Sequence, residues 1–296
     1  MKYAVILGDG MADLPEACPG GRTPLELART PVLDRLCGGG ETGLVRTVPE
    51  GMAPGSDTAN LSILGYGGIQ YYRGRASLEA LALGVRLGAY DLAFRCDLTG
   101  LWGDGPTFEE MQMGDPGALA GKEEEACMAV KEAMGKESAL VLVPGRNGKC
   151  LLLWKDGLLK ASGFMNPAAG GCGLIPPHEM TGKRIGDFLP EQRTLRRFSE
   201  DSYLALKTRF PRERACFWPW GAGTACELPD FSEKTGLSGA AVTATGVIKG
   251  LALAAGLKLL SVPGADGSLD TDYGGKARTA LKALLEEGMD FCYVHL

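Results

Sequence analysis

The chain has 296 residues, 45% of them hydrophobic and 23% charged, with a formal net charge of −5. This is a globular composition with room for one large domain or two smaller ones. The absence of any block of Lys and Arg excludes the usual electrostatic footprint of a nucleic-acid partner, so an anionic substrate requires local clustering of basic residues within an acidic whole.

Residues 3–7 form a short β-branched and apolar run that predicts a buried strand, ended by Gly8-Asp9-Gly10. The run is too short for a signal-peptide core. Thr30-Pro31 predicts the start of a helix, with Leu33 and Leu36 on one face and glycines 38–40 as its stop. Residues 41–48 predict a second strand, 49–57 a loop, and 58–64 a short helix closed by Gly65.

Residues 93–98 predict a strand, and 122–134 a helix whose first turn carries Glu123, Glu124 and Glu125, as the helix dipole favours. Residues 139–143 and 150–154 predict strands around a turn at 145–148. That local order points to an α+β insertion. A Gly/Pro-rich loop over 163–177, a helix over 199–209 and an aromatic stretch over 217–223 that turns at Gly221-Ala222-Gly223 follow.

Towards the end, residues 239–255 predict a helix, 258–262 a strand, 275–287 a helix with Leu281, Leu284 and Leu285 inward, and 290–296 a strand. This alternation predicts a parallel sheet covered on both faces. The longest apolar stretch, 237–262, is broken by Lys249 and Lys258 and reads as buried elements, not as a membrane span. The expected architecture is α/β, with a parallel-sheet core from residues 1–75 and 236–296 and an inserted α+β domain over 76–235. The nine cysteines lack C-x-x-C spacing and read as small buried hydrophobes. Reduced thiols of this kind predict a cytoplasmic location.

Two residues stand out chemically. Asp9 directly follows the first strand, where open α/β sheets bind ligands. A carboxylate there suits a hard or borderline cation, and between glycines it equally suits a plain turn. Ser56 lies in Pro54-Gly55-Ser56-Asp57-Thr58-Ala59-Asn60, among small residues just before a helix. That setting suits phosphate and a metal-activated hydroxyl nucleophile, and also an ordinary N-cap. Neither a P-loop Gly-Lys-Ser/Thr nor a G-x-S-x-G elbow is present.

Taken together, these segments resemble the archaeal-type cofactor-independent phosphoglycerate mutases of the alkaline phosphatase superfamily. The matching stretches include Leu7-Gly8-Asp9-Gly10-Met11-Ala12-Asp13, the run from Val48 through Ser56 to Leu61, Tyr71-Tyr72-Arg73-Gly74-Arg75 and Ala93-Phe94-Arg95-Cys96-Asp97-Leu98. Further on come Pro176-Pro177-His178-Glu179, Trp218-Pro219-Trp220-Gly221, Val262-Pro263-Gly264-Ala265-Asp266-Gly267 and Asp270-Thr271-Asp272-Tyr273-Gly274-Gly275-Lys276. They span nearly the whole chain in the family's order. The resemblance implies an isomerase of glycolysis that exchanges 3-phosphoglycerate and 2-phosphoglycerate through a phosphoserine. Ser56 is then the nucleophile, and Asp9 and Ser56 ligate metal in a site for two divalent ions, Mn²⁺ or Mg²⁺, with Zn²⁺ or Co²⁺ as alternatives. Arg75, Arg95, His178 and Lys276 become the expected substrate-binding residues, Arg being suited to bidentate oxyanion binding. His295 reads as a core or strand-end residue. The expected partner is a small phosphorylated substrate, with no nucleic acid and no membrane, and with a homo-oligomer as a further expectation.

The sequence also departs from that family. Its pattern runs on past a strand like 291–296 into Asp-Glu-x-Gly-His and Asp-His-Gly segments, which carry most of the remaining metal ligands and are not in this sequence. The expectation is a chain truncated relative to the family or completed by another polypeptide. Its metal site would be incomplete, with an unpaired sheet edge and exposed apolar surface. At 145–149, where relatives commonly carry Tyr-Arg-His, the sequence is Gly145-Arg146-Asn147-Gly148-Lys149. The alternative readings are a homoserine-kinase-like phosphotransferase and a catalytically inactive remnant that binds a ligand or partner.

Overall fold

Two sheets carry the structure, a computed structural model that describes residues 1–103, 105, 107–114, 119–135, 138–145, 148–161 and 174–296. The chain opens with β1 (Tyr3–Leu7), α1 (Pro24–Leu27), α2 (Pro31–Gly39), α3 (Ser56–Ile63), α4 (Gly68–Tyr71) and α5 (Arg75–Ala82). The middle contains β2 (Leu92–Trp102), β3 (Gln112–Met113), α6 (Glu123–Met134), β4 (Leu140–Val143), β5 (Lys149–Trp154), α7 (Gly157–Lys160), α8 (Arg193–Arg209) and β6 (Ala215–Gly223). The last part contains α9 (Phe231–Thr235), β7 (Gly239–Val242), α10 (Gly246–Ala254), β8 (Lys258–Leu260), α11 (Tyr273–Leu285) and β9 (Phe291–His295).

The first sheet is parallel, in the order β1-β9-β7-β8. Parallel neighbours need crossovers, and α10 and α11 supply them. One face, with Ala241, Phe291 and Tyr293, packs with Leu61 of α3 and with Ile248 and Leu251 of α10. The other, with Val242, Cys292 and Val294, packs on Ala280 and Leu284 of α11. Because strand side chains alternate, Val5 and Leu7 join the first face, whereas Ile6 points the other way and is 67% exposed. The second sheet is antiparallel, in the order β3-β2-β5-β4, with β6 on the other edge of β2. The same alternation along β2 sends Phe94, Cys96 and Leu98 into a core with α6 and α8. Arg95 and Asp97, at the intervening positions, are buried on the opposite face. The two sheets are joined through α5, which packs on both β2 and β6 and lies against α10.

The mixed α/β reading stands, but several elements differ from expectation. Residues 41–48 form no strand: β1 pairs with β9 alone among the described residues, and Leu44 and Val45 are exposed with no ladder to join. Residues 217–223 do not turn; they extend β6 along β2, and the irregularity at Gly221 (φ 56) is absorbed as a register shift opposite Ala93 and Arg95. Residues 239–255 divide into β7 and α10 about Thr243-Ala244-Thr245, since a run of small apolar residues suits a buried strand as well as a helix. On α11, Ala280, Ala283 and Leu284 face inward, and Leu281 and Leu285, one position further round, are exposed. Most of the loop expected at 163–177 lies outside the described residues, as do Arg146, Asn147 and Cys172. Cys96, Cys127, Cys150, Cys216 and Cys292 are buried free thiols, whereas Cys37 is exposed. Among the described residues, no helix is long and apolar enough to cross a membrane.

Candidate active site

Parallel strands all direct their carboxyl ends to one edge of the sheet, and three chemistry-bearing side chains meet there. Asp9 follows β1, Ser56 is the first residue of α3, and His295 is the last residue of β9, in register with Leu7. The Ser56 hydroxyl donates to Asp9 Oδ2 at 3.1 Å, and His295 Nε2 lies 3.3 Å from the same oxygen. Asp9 is 43% exposed and Ser56 half-buried, so both are reachable from solvent. Burial lowers the His295 pKa, and the Asp9 carboxylate only partly offsets this, so the ring is held below its ordinary value. Lys276 is buried beneath this edge, its ammonium donating to the His295 carbonyl at 3.1 Å. Burial also holds the Lys276 ammonium below its usual pKa, against the pull of Asp266.

The first turn of α3 is anchored from two directions. Asn60 Nδ2 donates to the Ser56 carbonyl at 2.7 Å, and Asn60 Oδ1 accepts from the Tyr293 hydroxyl of β9. Asp57, which is buried, accepts from the Tyr72 hydroxyl at 2.6 Å. Burial and then the Asp57 charge push the Tyr72 phenol far above its ordinary pKa, so it remains a donor at any physiological pH. Gly55 is required here by close approach, because a Cβ would come within 2.4 Å of Asp57 Oδ1.

A second cluster forms where α5 meets β2 and β6. Arg75 Nε donates to Glu79 Oε1 at 2.9 Å, and Arg95 donates to the same oxygen at 2.6 Å. Arg95 Nε also reaches Asp97 Oδ1 at 3.0 Å, and the Trp220 indole N–H donates to Asp97 Oδ2 at 3.0 Å. Burial alone would lower the Arg95 pKa, but Glu79 and Asp97 more than offset it, and the guanidinium stays charged. Arg75 and Arg95 stand 5.4 and 5.1 Å from the Trp220 ring, within cation–π range. The His178 ring meets the indole edge-on at 5.9 Å and is itself exposed. The structure thus brings Arg75, Arg95 and His178 together around one tryptophan and places Lys276 apart from them, beside His295.

This arrangement, a reachable serine hydroxyl on a strand-end carboxylate with an arginine pair nearby in sequence, can be set against known proteins. The sequence profile of 2,3-bisphosphoglycerate-independent phosphoglycerate mutases matches residues 38–209. The 2,3-bisphosphoglycerate-independent phosphoglycerate mutase of Methanosarcina acetivorans is 38% identical over 310 residues, covering 100% of this chain and 73% of that protein. The chain belongs to this family of phosphoglycerate mutases. The fold agrees. A solved structure of the PH0037 protein from Pyrococcus horikoshii matches with a TM-score of 0.71 at 27% identity, covering 99% of this chain and 70% of that one. The cofactor-independent phosphoglycerate mutase from Thermoplasma acidophilum matches with a TM-score of 0.55 at 24% identity, over 100% of this chain and 77% of that one. The mutases of this family are isomerases by name and reaction.

For a mutase, the donors at the sheet edge are few. Asp9 and Ser56 offer an oxygen pair of the kind that hard cations take. Among the described residues, however, no group of three or more His, Cys, Asp or Glu is placed to hold a cation. These residues do not close a two-cation site by themselves. From sequence alone His295 reads as a strand-end residue, and its contact with Asp9 is not foreseen. Trp220, Glu79 and Tyr72 also escape notice as site residues, although Trp220 and Tyr72 lie in motifs shared with the family. The available signal is Arg75, Arg95 and Trp220 standing within the segments that resemble the family.

Proposed function

We propose that this chain acts in the interconversion of 3-phosphoglycerate and 2-phosphoglycerate through a phosphoserine at Ser56. The observation that carries this reading is the Ser56–Asp9 hydrogen bond at 3.1 Å, formed at a parallel-sheet edge by residues 47 apart in sequence. In the first half, a bond forms from Ser56 Oγ to phosphorus as the bond from phosphorus to the substrate 3-oxygen breaks. The serine proton passes to Asp9 Oδ2 and from there to the leaving 3-oxygen. In the second half, the 2-oxygen of the same glycerate bonds to phosphorus as the bond from phosphorus to Ser56 Oγ breaks, and its proton passes through Asp9 Oδ2 to Ser56 Oγ, restoring the hydroxyl. Nothing is consumed over the cycle. Arg75, Arg95 and His178 are proposed to hold the substrate's anionic groups. Lys276 adds positive charge beneath the sheet edge. Dependence on two divalent cations, with Asp9 and Ser56 as ligands, belongs to this reading through the family resemblance. A cytoplasmic setting, from the cysteine pattern, the division at residues 75 and 235, from the order of elements, and self-association complete the reading.

The test is an enolase-coupled assay of the full chain with 3-phosphoglycerate, with Mn²⁺ or Mg²⁺ added and then chelated. Turnover that falls by about a thousandfold or more in Ser56→Ala supports the mutase reading. Turnover unchanged in that variant overturns it, and phosphate transfer from ATP to homoserine replaces it with the kinase reading. The small donor set at the sheet edge favours one competitor, a chain that binds phosphoglycerate without converting it. That chain would show 3-phosphoglycerate binding dependent on Arg75 and no turnover with any added cation.

A further inference from the structure

Ser56 and Arg75 are the first residues of two helices, α3 and α5, and the chain reaches α5 from the end of α4 through the irregular stretch Tyr72-Arg73-Gly74. A buried side chain closes this segment on itself. The Tyr72 hydroxyl donates to Asp57 Oδ2 at 2.6 Å, next to Ser56, and Tyr72 itself stands three residues before Arg75. Tyr72 and Asp57 are 8% and 5% exposed, so this bond is shielded from competing water.

The Arg75 end is equally constrained. Gly74 has φ 91, and a Cβ there would lie 1.8 Å from the Ala222 carbonyl oxygen, so this stretch rests directly on β6. Thr224 N donates to the Arg73 carbonyl at 2.8 Å, and Ser77 Oγ donates to the Gly74 carbonyl at 2.6 Å. The Arg75 stem runs along Gly221, where a Cβ would be 3.6 Å from Arg75 Cβ and Cδ. Of the two arginines, Arg95 is committed to both Glu79 and Asp97, and Arg75 is the more exposed, with only Nε engaged by Glu79. Arg75 is thus the guanidinium available to a ligand, and its position depends on α5's first turn.

We infer that Tyr72 is a positioning residue that sets the spacing between Ser56 and Arg75, so that one substrate carrying two anionic groups is held at both ends. The inference rests on the proposed placement of the substrate across those two residues. Its physical basis is a buried hydroxyl that ties the stretch leading into α5 to the first turn of α3, adding a directional bond at the two helix starts to the packing of both helices on α10. A ligand with one anionic group does not sense that spacing, and a ligand with two does.

Calorimetric titration of the full chain with 3-phosphoglycerate and with inorganic phosphate, with Mg²⁺ present, tests this. In Tyr72→Phe, the preference for 3-phosphoglycerate over phosphate is expected to fall about tenfold, with phosphate affinity within about twofold of the parent. Asp57→Asn keeps an acceptor oxygen for Tyr72 and is expected to retain the preference. An unchanged preference in Tyr72→Phe, or equal weakening of both ligands as a general loss of structure would produce, overturns the inference. If Arg75→Ala also leaves the preference intact, or if the parent shows none, the shared-site reading itself fails. A preference lost in Arg75→Ala but kept in Tyr72→Phe sinks only the role of Tyr72.

Discussion

Asp91 shows how a single carboxylate can hold a corner of this fold. Its side chain is 7% exposed and accepts from Lys155 Nζ at 2.8 Å, the Gly88 amide at 2.9 Å and the Asp156 amide at 3.2 Å. Burial alone would raise its pKa, but these donors more than offset it, and the carboxyl sits below the usual range. A lowered folded-state value means that the stabilisation is fully present above the unfolded pKa of about 4 and is lost as pH falls through the folded value. Asp91→Asn should therefore cost about 1–3 kcal/mol at pH 7 in urea melts. The gap between parent and variant should shrink as the melts are repeated below about pH 4. Asp9 and Ser56 are legible in the sequence because their local settings are chemically suggestive. Asp91, Tyr72 and His295 are not, since their partners are 64, 15 and 286 residues away or lie across a sheet.

At the scale of elements, packing decides what local pattern leaves open. The helix predicted at 239–255 contains a strand, because Gly239-Ala240-Ala241-Val242 is apolar without a period and only the β9 and β8 ladders on either side select an extended form. The strand predicted at 41–48 has no such neighbour and does not form. Conversely, β1, β4, β5, β9, α2 and α6 are legible within a few residues, since turns or glycines bound them and their composition agrees with their surroundings. The α5–α10 contact is invisible in sequence, yet it joins the two sheets. A Cβ at Gly250 would lie 1.7 Å from the Leu78 carbonyl oxygen, a clash with backbone that no rotamer relieves. Gly250→Ala should destabilise the protein by at least about 2 kcal/mol, despite the better helix propensity of alanine. A melting temperature at or above that of the parent would show that the two helices slide apart at little cost.

For the whole molecule, the two sheets are unequally covered. The antiparallel sheet has an extensive core with α6 and α8, whereas α1 and α2 contain no buried residue and the Ile6 side of β1 is open. Leu33 and Leu36 of α2 are exposed as well. Edge strands and apolar patches of this kind promote association. Sedimentation velocity should show a weight-average mass that rises with protein concentration, and Ile6→Lys should reduce that rise. A concentration-independent monomer in the parent would contradict this.

The pairing of β1 with β9 has one more consequence, in the order of synthesis. Tyr3 N bonds to the Asp290 carbonyl and Leu296 N to the Leu7 carbonyl, so a strand made early by the ribosome lies against one made much later. The strands of the antiparallel sheet pair over shorter spans and can close while translation continues. β1 cannot. It waits, without a neighbour, for a strand that also separates it from β7. The Asp9–Ser56 pair can form early, but His295, 286 positions after Asp9, joins it only once most of the chain has been made, so the three-residue cluster assembles after the antiparallel sheet has had time to fold.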